Sequence, residues 1–336
     1  AVRSELNLVV VEPDAARAAA AEQYLRAERL YGARAVVHTL SLAADLPYPN
    51  YFADLVVAAA PPTAGMFPQG AGHLARHVKP HGGTVCVATA PGQGITAEKL
   101  RAQVQQLVPG EAKVTEADGR TWCVATRGAL PGAGNWTHQY ANPGNTGASE
   151  DTRVKGALGV LWYGAPGPAP MVDRHAAAIA PLALDGRMFV QGEHVVMAYD
   201  AYNGTQLWNR PIRGAIRAGM KGGAVSNFAV DRTGVFVGAR NTCLVLAVDT
   251  GKTLAQFKAP APAKGWGYVA VADGILFGSD KTGRGEATIA FAFDTKTKKL
   301  LWTYQGETLI TPTFAVGDGR LYFVDSSISN EEREQA

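Results

Sequence analysis

The sequence predicts a multidomain chain: an N-terminal α/β domain on a largely parallel sheet, followed by an all-β array of repeated sheets. Three observations carry this expectation. Short apolar runs alternate with helical stretches up to about residue 128, the helical period vanishes after Ala129, and a β-rich pattern then recurs at intervals near 45 residues. A length of 336 residues suits two or more domains, at roughly 100 to 200 residues each. With 47% hydrophobic and 18% charged residues the chain is globular rather than a disordered or rod-like segment. No apolar run approaches the roughly 18 residues of a membrane span, and residues 1–30 lack the charged start, apolar core and cleavage site of a signal peptide. The net charge of +3 comes without a clustered Lys/Arg face, so no nucleic-acid partner is expected. Cys86, Cys123 and Cys243 are too far apart for a disulfide framework or a CxxC site and read as buried small hydrophobes.

Taken in order, Leu6 to Val11 is an apolar strand ending at Glu12 and Pro13. Asp14 to Leu30 is an Ala-rich helix with a stripe at Ala18, Ala21 and Leu25, stopped by Gly32. Ala35 to Thr39 and Asp54 to Ala60 are strands, Gly70 to Val78 is a helix ended by Pro80, and Gly83 to Ala88 is a further buried strand. Thr96 to Leu107 is a helix, and Lys113 to Ala117 and Thr121 to Thr126 flank Asp118-Gly119, a hairpin turn. The alternation predicts a parallel sheet covered on both faces and closed at its edge by that hairpin. Residues 129–157, rich in Gly, Asn, Thr and Pro, read as a linker packed on a neighbour through Trp136 and Tyr140.

The β-rich part carries an internal repeat. Asp185-Gly186, Asp231 with Gly234, Asp273-Gly274 and Asp318-Gly319 each precede a short apolar strand, and the aromatics Phe189, Phe236, Phe277 and Tyr322 lie 47, 41 and 45 residues apart. That is the period of a four-stranded propeller blade. A second motif follows: Ala198, Asp200, Gly204 and Trp208 are matched by Ala292, Asp294, Lys298 and Trp302, and in shortened form by Ala247, Asp249, Gly251 and Phe257. The Asp can bond turn amides, Gly supplies positive φ, and Trp packs flat on small neighbours.

At these residues, over about 135 to 327, the chain resembles the quinoprotein-type β-propeller. That family includes pyrroloquinoline-quinone (PQQ) dehydrogenases and a non-enzymatic lipoprotein of outer-membrane protein assembly. Its dehydrogenases hold the quinone against a vicinal disulfide and a calcium ion. No two cysteines are adjacent here, and Asp185, Asp200, Asp231, Asp249, Asp273, Asp294 and Asp318 all fall at repeat turns. Residues 158–336 make about four blades, so the expectation is either a small closed ring whose last blade Leu158 to Tyr163 completes or, as favoured, a partial ring. Leu158 to Tyr163 reads as an outermost strand, since Val160-Leu161-Trp162-Tyr163 echoes Leu300-Leu301-Trp302 and Tyr304.

Residues 1 to about 127 resemble a Rossmann-like class I S-adenosylmethionine (SAM) methyltransferase from its second strand to its last. The resemblance rests on Leu46-Pro47-Tyr48-Pro49, Phe52 to Val57, Val78-Lys79-Pro80-His81-Gly82-Gly83 and the final hairpin. It implies that Glu12 holds the cofactor ribose and that Ser41 and Leu42 flank the adenine. The chain departs from the pattern in two ways: the first strand with its Gly-rich turn would lie before Ala1, and the acid expected near Ser41 or Leu42 is displaced to Asp45. A NAD-binding Rossmann domain would explain Glu12 equally well and the hairpin less well. His73, His77 and His81 read as a solvated helix face leading into a turn, not as metal ligands, and His138, His175 and His194 form no triad.

The domain expectation is therefore 1–128 methyltransferase-like, 129–157 linker and 158–336 propeller repeats. The functional expectation is a binding or scaffold module of the bacterial envelope, with a protein or envelope partner on the propeller loops and a degenerate methyltransferase-like domain. The alternatives are a SAM-dependent methyltransferase whose propeller selects substrate and a PQQ-dependent dehydrogenase. A periplasmic or envelope location goes with the first reading and a cytoplasmic one with an active methyltransferase.

Overall fold

The computed structural model describes residues 6–41, 46–58, 72–89, 94–108, 110–167, 169–171, 179–217, 226–282, 285–328 and 330–336. The chain forms two compact units, Ala1–Gly128 and Ala129–Ala336.

In the first unit the order is β1 (Leu8–Val11), α1 (Ala15–Ala27), β2 (Ala35–His38), β3 (Leu55–Ala58), α2 (Gly72–His77), β4 (Thr84–Ala88), α3 (Ala97–Leu107), β5 (Ala112–Ala117) and β6 (Arg120–Thr126). Helix starts follow their caps. Asp14 accepts the Arg17 amide at 2.8 Å and Thr96 the Lys99 amide at 3.3 Å, satisfying donors that the first turn leaves free. Asp118 (φ 52°) and Gly119 (φ 69°) are both left-handed, as a two-residue hairpin turn requires.

The expected single sheet, covered on both faces, is corrected to two sheets. β1 pairs with β2 in parallel. The other sheet has the order β3-β4-β6-β5, in which β3 and β4 are parallel and β6 runs antiparallel to both β4 and β5. Each sheet has its own core. Ala18 and Leu25 of α1 pack on Ala35 and Val37, whereas Leu100, Val104 and Leu107 of α3 pack on Val85, Val87 and Cys123. Among the described residues no strand joins β1 to β3, so Val9, Leu55 and Val57 stay exposed where a doubly covered parallel sheet would bury them.

The second unit is antiparallel throughout its sheets. The first meander is β7 (Leu182–Leu184), β8 (Arg187–Gln191), β9 (Val195–Asp200) and β10 (Gln206–Pro211), and the second is β11 (Phe228–Asp231), β12 (Gly234–Ala239), β13 (Thr242–Leu246) and β14 (Thr253–Lys258). The third contains β15 (Val269–Ala272), β16 (Ile275–Ser279), β17 (Glu286–Asp294) and β18 (Leu300–Gly317), followed by β19 (Arg320–Asp325) and a terminal helix α4 (Asn330–Gln335). β18 pairs with β17 along Leu300–Ile310 and with β19 along Leu309–Gly317, so one strand is outermost in the third repeat and innermost in a fourth.

Innermost strands β7, β11 and β15 are neighbours, and the sheets pack face to face as propeller blades do. Phe189 and Trp208 meet Phe228 and Val230, Phe236 and Phe257 meet Trp266 and Phe291, and Phe277 meets Phe314. Leu158 to Tyr163, expected as a strand, joins no ladder: no strand among the described residues lies beside it, and Tyr163 is 99% exposed.

Candidate functional site

In the first unit the candidate residues gather where β1 and β2 end. Glu12 Oε1 accepts the Arg17 guanidinium at 2.8 Å and the Asp14 amide at 2.9 Å. These bonds, Arg17 first, hold its carboxyl below the usual carboxylate range. Glu12 is thus ionised and tied through one oxygen to the start of α1. Ser41 is exposed beyond β2, and Leu42 and Asp45 lie outside the described residues.

Nearby, His38 Nδ1 lies 2.6 Å from the Tyr48 hydroxyl with the rings stacked at 5.7 Å, and Tyr48 also touches the rings of Phe52 and His77. Arg76 holds this loop through the carbonyls of Leu46 and Tyr48. The expected solvated histidine face is corrected at His77, which is buried with Nδ1 2.9 Å from the Pro49 carbonyl, because the 46–52 loop folds over it. His81 sits in the following turn at φ 54°. The side chain of His73, and His175 as a whole, lie outside the described residues.

In the second unit Trp208 and Trp162 each reach the turn of the repeat that follows in sequence. Trp208 Nε1 donates to the Val248 carbonyl at 2.9 Å and its ring covers Gly251. Trp162 Nε1 donates to the Ala201 carbonyl at 3.0 Å and its ring covers Gly204. Ala198 and Ala292 stand opposite Trp208 and Trp302 in their ladders, while the Phe257 ring packs on that of Phe293, tilted by 58° at 5.5 Å. Asp200 accepts the amides of Tyr202 and Asn203, and Asp294 accepts the amide and hydroxyl of Thr297, which hold its carboxyl below the usual range. Ala247 and Gly251 close the turn by a backbone bond of 2.9 Å. Asp249 does otherwise, pairing with Arg187 of the preceding repeat, and Asp185 pairs with Arg232 of the following one.

The residues that sequence reasoning missed lie between 135 and 147. This arm crosses the innermost strands of four successive repeats and takes one backbone amide from each. The amides of Ala183, Val230, Val271 and Val316 donate to Trp136 O (2.8 Å), Thr137 O (3.0 Å), His138 Nε2 (3.2 Å) and Pro143 O (2.8 Å). These four donors are separated by 47, 41 and 45 residues, the same intervals as the repeat aromatics. Asn135 accepts the Asp185 amide, Gln139 the Ala180 amide, and Asn145 donates to the Phe314 carbonyl.

His138 is buried, and desolvation pushes its pKa down to about 3, so the ring is neutral. With Nε2 accepting from Val271, the network assigns the proton to Nδ1, 2.8 Å from Thr137 Oγ1. The only cue in the sequence is the density of Asn, Gln, His and Thr beside Trp136.

No family model matches this chain, and no curated protein matches it. Among solved structures it is similar to a quinohemoprotein alcohol dehydrogenase from Pseudomonas putida HK5, at 20% identity over 52% of this chain and 27% of that one, with a TM-score of 0.40. It is similar to BamB from Moraxella catarrhalis at 15% identity over 52% of this chain and 50% of that one, TM-score 0.32. A europium-containing methanol dehydrogenase aligns at 16% identity over 52% of this chain and 32% of its own, TM-score 0.35. The chain thus spans between about a quarter and a half of these structures. Its architecture rests on the strand pairings and the register of the arm, not on these superpositions.

Proposed function

We propose that this chain is a non-enzymatic binding module of the bacterial envelope. Its propeller-type repeats present loops and exposed apolar side chains to a protein partner, and the methyltransferase-type α/β domain that precedes them in the sequence does not catalyse. The observation that supports this reading is the exposed apolar surface of the second unit. Leu158, Val160 and Tyr163 stand in solvent on a segment that joins no sheet, and Tyr322 and Val324 are exposed on β19; large apolar side chains grouped in water mark contact sites.

Neither cofactor suggested by resemblance fits the residues present. For SAM, Glu12 is tied through Oε1 to the Arg17 guanidinium and the Asp14 amide at the start of α1, which occupies the oxygen a ribose hydroxyl would need. For PQQ, the three separated cysteines cannot form the vicinal disulfide. Calorimetric titration of the protein with SAM tests the reading: no saturable binding is expected. Stoichiometric binding that Glu12→Gln abolishes would instead favour the methyltransferase.

A further inference from the structure

A pocket of about 390 Å3 opens in the second unit, where Gly214 to Arg217, Asn227, the end of β12 and the approach to β15 converge. Its charge is one-sided. Arg217, Arg240, Lys264 and Lys281 line it, and among the described residues the lining contains no carboxylate. The side chains of Arg240, Lys264 and Lys281 make no ion pair or hydrogen bond among the described residues and are exposed at its mouth. The three exposed cations Arg240, Lys264 and Lys281 around one cavity repel one another and raise the local concentration of anions.

The floor adds a second requirement. Asn227 is 1% exposed, and its Nδ2 donates to the carbonyls of Ile216 (3.0 Å) and Gly238 (2.8 Å), which fixes the orientation of the amide. Its Oδ1 is buried and accepts no hydrogen bond among the described residues, a condition that native proteins rarely tolerate without a partner. Trp266 supplies an apolar wall, its indole N–H already given to the Phe257 carbonyl at 3.1 Å. The cations call for negative charge and Asn227 calls for a donor. A lone inorganic ion would leave most of the volume empty, since a water occupies about 30 Å3.

We propose that this pocket binds a small organic polycarboxylate that carries its own hydrogen-bond donor, its carboxylates on the lysines and arginines and its hydroxyl or N–H on Asn227 Oδ1. The site is built within the repeats and is independent of whether the first unit binds SAM.

Isothermal titration with citrate, with propane-1,2,3-tricarboxylate, which lacks only the hydroxyl, and with inorganic phosphate tests both halves of the proposal. Citrate is expected to bind one to one, about tenfold more tightly than the hydroxyl-free analogue, and more weakly as salt rises. The double variant Lys264→Gln, Lys281→Gln alters only exposed side chains, so its unfolding midpoint should match that of the parent while its citrate affinity falls at least tenfold. Absence of saturable citrate binding, equal affinity for the two tricarboxylates, phosphate binding as tightly as citrate, or an unchanged affinity in the double variant would each overturn the proposal.

Discussion

A Cβ at Gly251 would lie 2.7 Å from the Trp208 ring, and its φ of +65° is one that other residues adopt only with strain. Gly251→Ala therefore combines a backbone penalty with a clash and is expected to cost about 2 to 4 kcal/mol, read as a lower urea midpoint. A change below about 0.5 kcal/mol would mean that the ring does not rest there. His138 gives a pH-dependent counterpart. Its pKa in the folded chain is about 3 against an ordinary 6.5, so above pH 6.5 both states are neutral and its contribution is complete. As pH falls from there towards 3 the unfolded chain takes up a proton that the folded chain refuses. Stability then drops by up to about 1.4 kcal/mol per pH unit. His138→Gln should flatten that part of the profile in urea unfolding between pH 7 and pH 4, and an unchanged slope would place the ring in water.

Among elements, the turns were the most legible in the sequence. Two consecutive left-handed residues have few chemical solutions, and Asp185-Gly186, Asp273-Gly274 and Asp318-Gly319 adopt φ values of 47° and 76°, 50° and 77°, and 50° and 68°. The arm was not legible, because its grip on the inner strands is made mostly by backbone atoms, which leave no mark on side-chain periodicity. The break between β1 and β3 was hidden for a related reason: alternation announces strands and helices but not which edges pair. β18 also escaped, since its two halves belong to successive repeats. The arm makes a prediction at this scale. Asn145 donates to Phe314 O and the neighbouring Pro143 O takes the Val316 amide, so Asn145→Ala should speed hydrogen exchange in β18 and β19 while leaving β7 to β10 unchanged. Uniform loosening of all four repeats would contradict so local a role.

For the whole second unit, the arm supplies what the separate sheets lack. Each meander buries its faces against its neighbours, but its innermost strand still has backbone donors that need acceptors. One segment provides these to four repeats in turn, so the repeats and the arm should gain protection together. The proposed anion pocket and the exposed apolar side chains lie elsewhere on the same unit. The most direct test of this organisation is residue-resolved hydrogen exchange at the amides of Ala183, Val230, Val271 and Val316. The account predicts slow exchange at all four, with His138→Ala selectively accelerating Val271. Fast exchange at these amides within otherwise protected sheets would contradict it.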